Sequence, residues 1–268
     1  MQPTLGKPFA FGRTAEVYGW GEHNILKLYY DWCPPHWIEN ESRVAGVVVE
    51  AGIPTPAAKE IIEIDGRRGI VYEPVSGMSM LQDINVHPWM IFRHARTLAE
   101  LQVKVNQLSV PGLHSYKSGM GDALRNAPHL SDELRFSVLD LLPALPDGDK
   151  LCHGDFHPGN IMLTAKGAVV IDWMTACTGS PWADFTRTKL LLSIGPKGAG
   201  KLLNPLVRLF IELLHSIYVR RYLELMPDPQ NERQKWIPIV AAARLNERIE
   251  PETQALVEMV RRGVGPKS

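Results

Sequence analysis

The chain has 268 residues, 45% of them hydrophobic, with Lys plus Arg and Asp plus Glu equal at 29 each. That length and a mean hydropathy of −0.11 allow two lobes with cores of their own, and the charge balance leaves no overall field to recruit nucleic acid or an anionic membrane. Cys33, Cys152 and Cys177 fit neither a metal spacing nor a disulfide framework and point to reduced thiols in a cytoplasmic protein. MQPTLGKPFAFG carries no apolar run of signal-peptide length, and the most apolar later stretch, VRLFIELLHSIYV, is broken by Arg208, Glu212 and His215. Neither secretion nor a membrane span is expected.

In chain order, short β-type runs come first: AEVYGWG at 15–21, NILKLYY at 24–30, EIIEID at 60–65, a turn over Gly66, Arg67, Arg68 and Gly69, and IVYEPV at 70–75. They predict a small antiparallel sheet. In WIENESRVAGVVVEAGIPTP, Ile38, Val44 and Val48 recur at helical spacing before Gly52 and two prolines end the segment, so one helix interrupts that sheet. From Pro88, the residues Ile91, Ala95, Leu98, Leu101, Val105 and Leu108 mark one face of an amphipathic helix with proline in its first turn. Further helices are expected over SDELRFSVLDLL, DFTRTKLLLS, LLNPLVRLFIELLHSIYVRRYLEL, ERQKWIPIVAAARLNE and PETQALVEMVRRG, with a hairpin formed by NIMLT, AKG and AVVIDW before the last four. The fold class is α+β: a β-rich N-terminal lobe with one helix over residues 1–77, and a larger, mostly helical lobe over 78–268. GPKGAGKL at 195–202 carries the G-x-x-x-x-G-K of a phosphate loop, but Leu202 stands where a hydroxyl must hold Mg²⁺, and TRTKLLLS before it reads as helix. A Gly/Pro turn between two helices is expected there, with Lys197 and Lys201 in solvent.

The densest polar cluster is LCHGDFHPGNIML at 151–163, followed by VVIDW at 169–173. One reading takes His153, Asp155 and His157, alternating on an extended segment, as the metal cluster of a hydrolase. It leaves Asn160 and Asp172 without a role. The other pairs Asp155 and Asn160, on a loop entering the hairpin, with Asp172, which the hairpin folds back beside the loop. Amide and carboxylate oxygens suit Mg²⁺ carrying phosphates, and Asp155 is left to accept a proton from an attacking hydroxyl.

HGDFHPGN followed by IDW resembles the catalytic loop and metal-binding motif of the aminoglycoside phosphotransferase and choline kinase family, relatives of the protein kinases. The resemblance implies a bilobal protein-kinase-like fold and an enzyme that moves the γ-phosphate of ATP, with Mg²⁺, onto a hydroxyl of a small molecule. In it Asp155 is the catalytic base, Asn160 and Asp172 hold the metal, and Trp173 stands where the Phe of D-F-G would. It also implies a phosphate-binding lysine on the third strand, matched by Lys27, and a helical glutamate to pair with it, matched by Glu41 with Glu39 as rival. FGRTAEVY resembles the nucleotide loop, with Gly12, Arg13 and Thr14 at the turn. IVYEPVSG resembles the segment joining the lobes, where the backbone of Glu73 to Val75 would meet the adenine edge. His153 is expected to brace the catalytic loop, His157 to be an ordered loop residue, and Asp184 to anchor the catalytic region. Trp182, Trp236 and Cys152 are expected in the core. The acceptor stays open among aminoglycosides, amino alcohols, amino acids and sugars, as does the oligomeric state; nucleic acid and membrane partners are not expected. A non-catalytic nucleotide-binding regulator is the alternative, although Lys27, Glu41, Asp155, Asn160 and Asp172 are all present.

Overall fold

The computed structural model describes residues 5–198 and 205–265. Among them the elements run β1 (Ala10–Phe11), β2 (Ala15–Trp20), β3 (Asn24–Tyr29), α1 (Pro35–Glu50), β4 (Ala58–Ile64), β5 (Arg67–Tyr72), β6 (Met78–Ser79), α2 (Met80–Val86), α3 (Ile91–Gln107), α4 (Tyr116–Arg125), α5 (Asp132–Leu141), β7 (Lys150–Cys152), β8 (Ile161–Thr164), β9 (Gly167–Val170), β10 (Cys177–Gly179), α6 (Pro181–Gly198), α7 (Pro205–Leu225), α8 (Glu232–Arg244) and α9 (Glu250–Val264). They fall into two compact units, Met1–Gln82 with Gly159–Ala176, and Asp83–Pro158 with Cys177–Ser268. The architecture is α+β.

In the first unit the sheet order is β1-β2-β3-β5-β4, every pair antiparallel, which makes β3 the central strand. Side chains alternate across a strand, so NILKLY sorts itself into two faces. Leu26 and Leu28 pack with Tyr18, Trp20 and Val71 on one face, each leucine contributing about 2 kcal/mol by burial. Tyr29 joins Ala15, Ile70 and Tyr72 on the other, against Ile38 and Ala45 of α1. Lys27 shares the face of Tyr29 and therefore points at α1. Gly69 of β5 pairs with Leu28, and a Cβ there would lie 2.7 Å from the Leu26 side chain and 3.0 Å from the Lys27 carbonyl oxygen, so the close approach of β5 to β3 requires glycine.

The β4–β5 turn is tighter than the sequence suggests. It is the two-residue pair Asp65 and Gly66, both with positive φ, and Arg67 to Gly69 already belong to β5. Two left-handed residues match the twist of flanking strands, which is why Asp65–Gly66 rather than the expected Gly66–Gly69 makes the bend. A second, three-stranded sheet in this unit has the order β6-β8-β9. The hairpin β8–β9 pairs Ile161 with Val170, so Asn160 and Ile171 follow as neighbours, and the Ile171 N–H donates to the Asn160 carbonyl at 3.0 Å.

The second unit is built on helices. Ile91, Ala95, Leu98, Leu101 and Val105 form the buried stripe of α3, which packs on α7. The helix starts at Ile91 because Pro88–Met90 form a 3₁₀ turn rather than its first α turn. Gln102 and Asn106 lie in the same buried stripe and tie three helices together. Gln102 donates to Thr188 and Asp184 of α6, both at 3.0 Å, and accepts from the Tyr218 hydroxyl of α7. Asn106 donates to Asp184 and to the Leu151 carbonyl and accepts from Tyr222 at 2.8 Å. Phe185 packs between Tyr218 and Tyr222, and Trp182 and Trp236 are core residues, as is Cys152. Strands β7 and β10 pair antiparallel, with Cys152 opposite Cys177, and all three cysteines are free.

The turn expected within GPKGAGKL needs correction. Helix α6 continues through Gly195, Pro196 and Lys197 to Gly198, so these residues are not the turn they resemble; Lys201 and Leu202 lie outside the described residues. A helix, not a strand, precedes GAGK, which removes the phosphate-loop geometry. Helix α4 is not among the expected elements, although Tyr116, Met120, Ala123 and Leu124 share one of its faces; Ser115 caps it by accepting from the Ser118 N–H.

Gly148, ahead of β7, has φ +71, and a Cβ there would lie 2.4 Å from the Gly179 carbonyl carbon and oxygen. Gly148→Ala should therefore lower stability by about 2–3 kcal/mol, since neither strain nor backbone overlap can be relieved by a rotamer change. A denaturation midpoint within error of wild type would contradict this.

Candidate active site

In the first unit, the alternation of β3 sends Lys27 toward α1, and the helical stripe of α1 places Glu41 among Ile38, Val44, Ala45 and Val48. Glu41 is the carboxylate that meets it: the Lys27 ammonium donates to Glu41 Oε1 at 2.7 Å and to Asp172 Oδ1 at 2.8 Å. Glu39 instead makes a surface pair with Arg68. Glu41 is only 1% exposed and is further held by two hydroxyls that sequence reasoning missed, Tyr29 at 2.6 Å and Tyr72 at 3.2 Å. Both lie on the apolar face shared with Lys27, and their hydroxyls satisfy a carboxylate that burial would otherwise penalise. Burial alone would push the Lys27 ammonium down, but Asp172 and Glu41 outweigh it and hold the group well above the ordinary lysine range.

Asp172 leaves β9 with φ +68, a conformation that costs a non-glycine residue of order 1 kcal/mol. The turn aims its carboxylate at Lys27 and is fixed by its neighbours. Val170 donates to the Pro54 carbonyl at 2.8 Å, and the buried Trp173 indole donates to the Thr55 hydroxyl at 2.9 Å. Asn160, nearly buried, stands at the same open end of the hairpin, where its carbonyl accepts from the Ile171 N–H. Asn160 and Asp172 therefore stand together on hard oxygen donors, the donor type Mg²⁺ selects, with Asp172 paired to Lys27 and 40% of its side chain open.

The turn of Gly12, Arg13 and Thr14 joins β1 to β2. The Gly12 N–H donates to the Ala15 carbonyl at 2.8 Å, and the Thr14 carbonyl accepts from Tyr30. Gly12 and Arg13 are exposed and Thr14 half-buried. The N–H of Glu73 is committed to the Ala57 carbonyl at 3.1 Å, so its backbone can offer a ligand its carbonyl; Val75, two residues on, is half-buried.

In the second unit, Asp155 lies on the loop after β7. Asp184 of α6, fully buried, accepts from the Gly154 N–H at 2.7 Å as well as from Gln102 and Asn106, and so anchors that loop. His153 is fully buried, meets the Phe156 ring edge-on, and accepts from the Asp155 N–H at 3.3 Å. His157 Nε2 lies 3.4 Å from Asp155 Oδ2, and Arg187 Nη2 lies 3.7 Å from Oδ1. Burial alone would raise the Asp155 carboxyl, but His157, Arg187 and His153 outweigh it and hold it well below the ordinary carboxylate range, so it is ionised throughout the neutral range. Among the described residues no group of three His, Cys, Asp or Glu side chains is placed to hold a metal. The hydrolase reading of His153, Asp155 and His157 fails because the His153 ring is turned into the core.

The chain is similar in structure to aminoglycoside-3'-phosphotransferase of type VIII, with a TM-score of 0.64 at 18% identity over 92% of this chain and 94% of that one. A thermostable mutant of aminoglycoside phosphotransferase APH(4)-Ia, in ternary complex with ADP and hygromycin B, gives 0.62 at 15% identity over 99% and 96%. The streptomycin–ATP–APH(2")-IIa ternary complex gives 0.60 at 14% identity over 97% and 91%. At such identities these likenesses establish the fold, which is protein-kinase-like. No curated protein sequence matches. Residues 13–210 match the phosphotransferase enzyme family, a span that takes in Lys27, Glu41, Asp155, Asn160 and Asp172, and the chain belongs to that family.

Proposed function

We propose that the protein transfers the γ-phosphate of ATP to a hydroxyl of a small molecule. The observation that carries this is the ion triad of Lys27, Glu41 and Asp172, in which the ammonium of a central-strand lysine is held between a buried carboxylate and a partly open one. In this account the first unit is the nucleotide-binding lobe and the second the catalytic and acceptor-binding lobe. Lys27, held by Glu41, orients the ATP phosphates; the Gly12–Thr14 turn covers them; the Glu73 carbonyl and the Val75 backbone meet the adenine edge. Asn160 and Asp172 hold Mg²⁺, which when bound neutralises phosphate charge. Asp155, already ionised, aligns the acceptor hydroxyl and accepts its proton. Most of the acceleration then comes from placement and charge stabilisation, as in other phosphoryl transfers.

The acceptor is an amino alcohol, amino acid or sugar in preference to a polycationic aminoglycoside such as those in the similar structures. A polycation calls for free carboxylates, and four that could have served are engaged: Asp122 with Arg125, Asp132 with Arg135, and Glu247 and Glu252 with Arg244.

Asp172→Ala tests the nucleotide half of this account. Titration with ATP at fixed Mg²⁺ should show affinity reduced roughly 10-fold or more, because a metal ligand is lost and Lys27 loses one of its two carboxylate partners. Unchanged MgATP affinity would remove Asp172 from the metal site.

A further inference from the structure

A chain of alternating charges runs through the second unit to the catalytic loop. Glu252, at the start of α9 and 3% exposed in its side chain, takes the Arg244 guanidinium through both oxygens at 2.8 and 3.0 Å. Arg244, the last residue of α8, also reaches Glu247 Oε2 at 2.5 Å. Glu247 Oε1 in turn accepts from Arg187 Nη2, and Arg187 of α6 reaches both the Gly154 carbonyl, at 3.3 Å through Nε, and Asp155 Oδ1, at 3.7 Å. Five charges of alternating sign thus end on the proposed base. All but Asp155 are largely buried, with side-chain exposures of 14% for Arg187, 22% for Glu247 and 8% for Arg244.

We propose that Arg187 is a positioning residue for Asp155, held in place by the Glu247–Arg244–Glu252 ion network of the C-terminal helices. The inference rests on the phosphotransferase account above. A planar guanidinium offers its donors in a fixed fork, so one side chain can hold the loop backbone at Gly154, the carboxylate of Asp155 and the anchoring Glu247 together. Lysine, with one mobile ammonium, cannot span the three. Without Arg187 the carboxylate keeps His157 beside one oxygen but loses the guanidinium 3.7 Å from the other, and small misplacements of a reacting group are costly in rate. The arrangement also ties the C-terminal helices to the reaction, because residues 244–252 lie beyond the family-matched segment 13–210 yet hold the catalytic loop through Arg187.

The test uses the full chain with MgATP alone, following its slow hydrolysis, with water as the acceptor, and its binding in parallel. Arg187→Met should lower turnover roughly 30- to 100-fold, with MgATP affinity within about twofold of wild type. Arg187→Lys should recover only part of the loss, and Glu247→Gln should cost about 3- to 10-fold. In an Asp155→Ala background Arg187→Met should add nothing, because a residue acting through Asp155 has no effect once it is gone. Hydrogen exchange gives a readout apart from turnover: the amides of residues 153–157 should exchange faster in Arg187→Met and unchanged in Asp155→Ala. A folded Arg187→Met protein with wild-type turnover and wild-type loop exchange overturns the inference, as does a full additional loss in the Asp155→Ala background. Failure of the wild-type protein to bind MgATP would instead sink the phosphotransferase account itself.

Discussion

Asp155→Ala should lower phosphoryl transfer by roughly 10²–10⁴-fold while leaving MgATP affinity within about twofold. Asp155 belongs to the second unit, whereas Lys27, Asn160 and Asp172, which are assigned to the nucleotide and metal, belong to the first. On the proposed roles, removing its carboxylate takes away the proton acceptor and spares the ATP contacts. Steady-state kinetics with a binding titration on the same preparation separates the two. The substitution should also be structurally mild, since Asp155 is one-third exposed and the loop remains tied through Gly154 to Asp184. An Asp155→Ala protein with wild-type turnover would remove the base from the account.

Glu41→Ala should have the largest effect on stability, about 3–5 kcal/mol by chemical denaturation. The substitution leaves the Lys27 ammonium with Asp172 as its remaining carboxylate and strips the Tyr29 and Tyr72 hydroxyls of the acceptor they share in a site that water scarcely reaches. Each of those losses acts in the same direction. Glu41→Gln should cost less, because the amide oxygen can still accept one of the three hydrogen bonds while the charge is gone. A Glu41→Ala loss below about 1 kcal/mol would show that the pair is not the buried unit the geometry describes.

Much of this site is legible in the sequence, because its residues sit on strong local patterns. Lys27 interrupts an apolar alternation, and the period of two fixes which face it shares. Glu41 falls within the apolar stripe of α1, where a carboxylate must have a partner. Asp155, Asn160 and Asp172 come from one loop and one hairpin, so short-range geometry brings the last two together. Beyond such patterns the sequence goes quiet. Strands β1, β6, β7 and β10 have two or three residues each, too few to show a period, and they exist only because a neighbouring strand offers its edge. The Asp65–Gly66 turn is masked by Gly69, a glycine whose role is close packing on β3. Tyr29 and Tyr72 look like ordinary strand aromatics until Glu41 is seen between them. Arg187 and Glu247 are 60 residues apart on separate helical segments, and nothing local distinguishes them from solvated helix charges.

The most direct test of the central claim is ³¹P NMR of the purified protein with MgATP and a panel of amino alcohols, amino acids, sugars and aminoglycosides. The account predicts that one class gains a phosphate monoester resonance in step with ADP formation, and that the gain disappears with Asp155→Ala. ATP that neither binds nor yields a monoester with any member of the panel would contradict it.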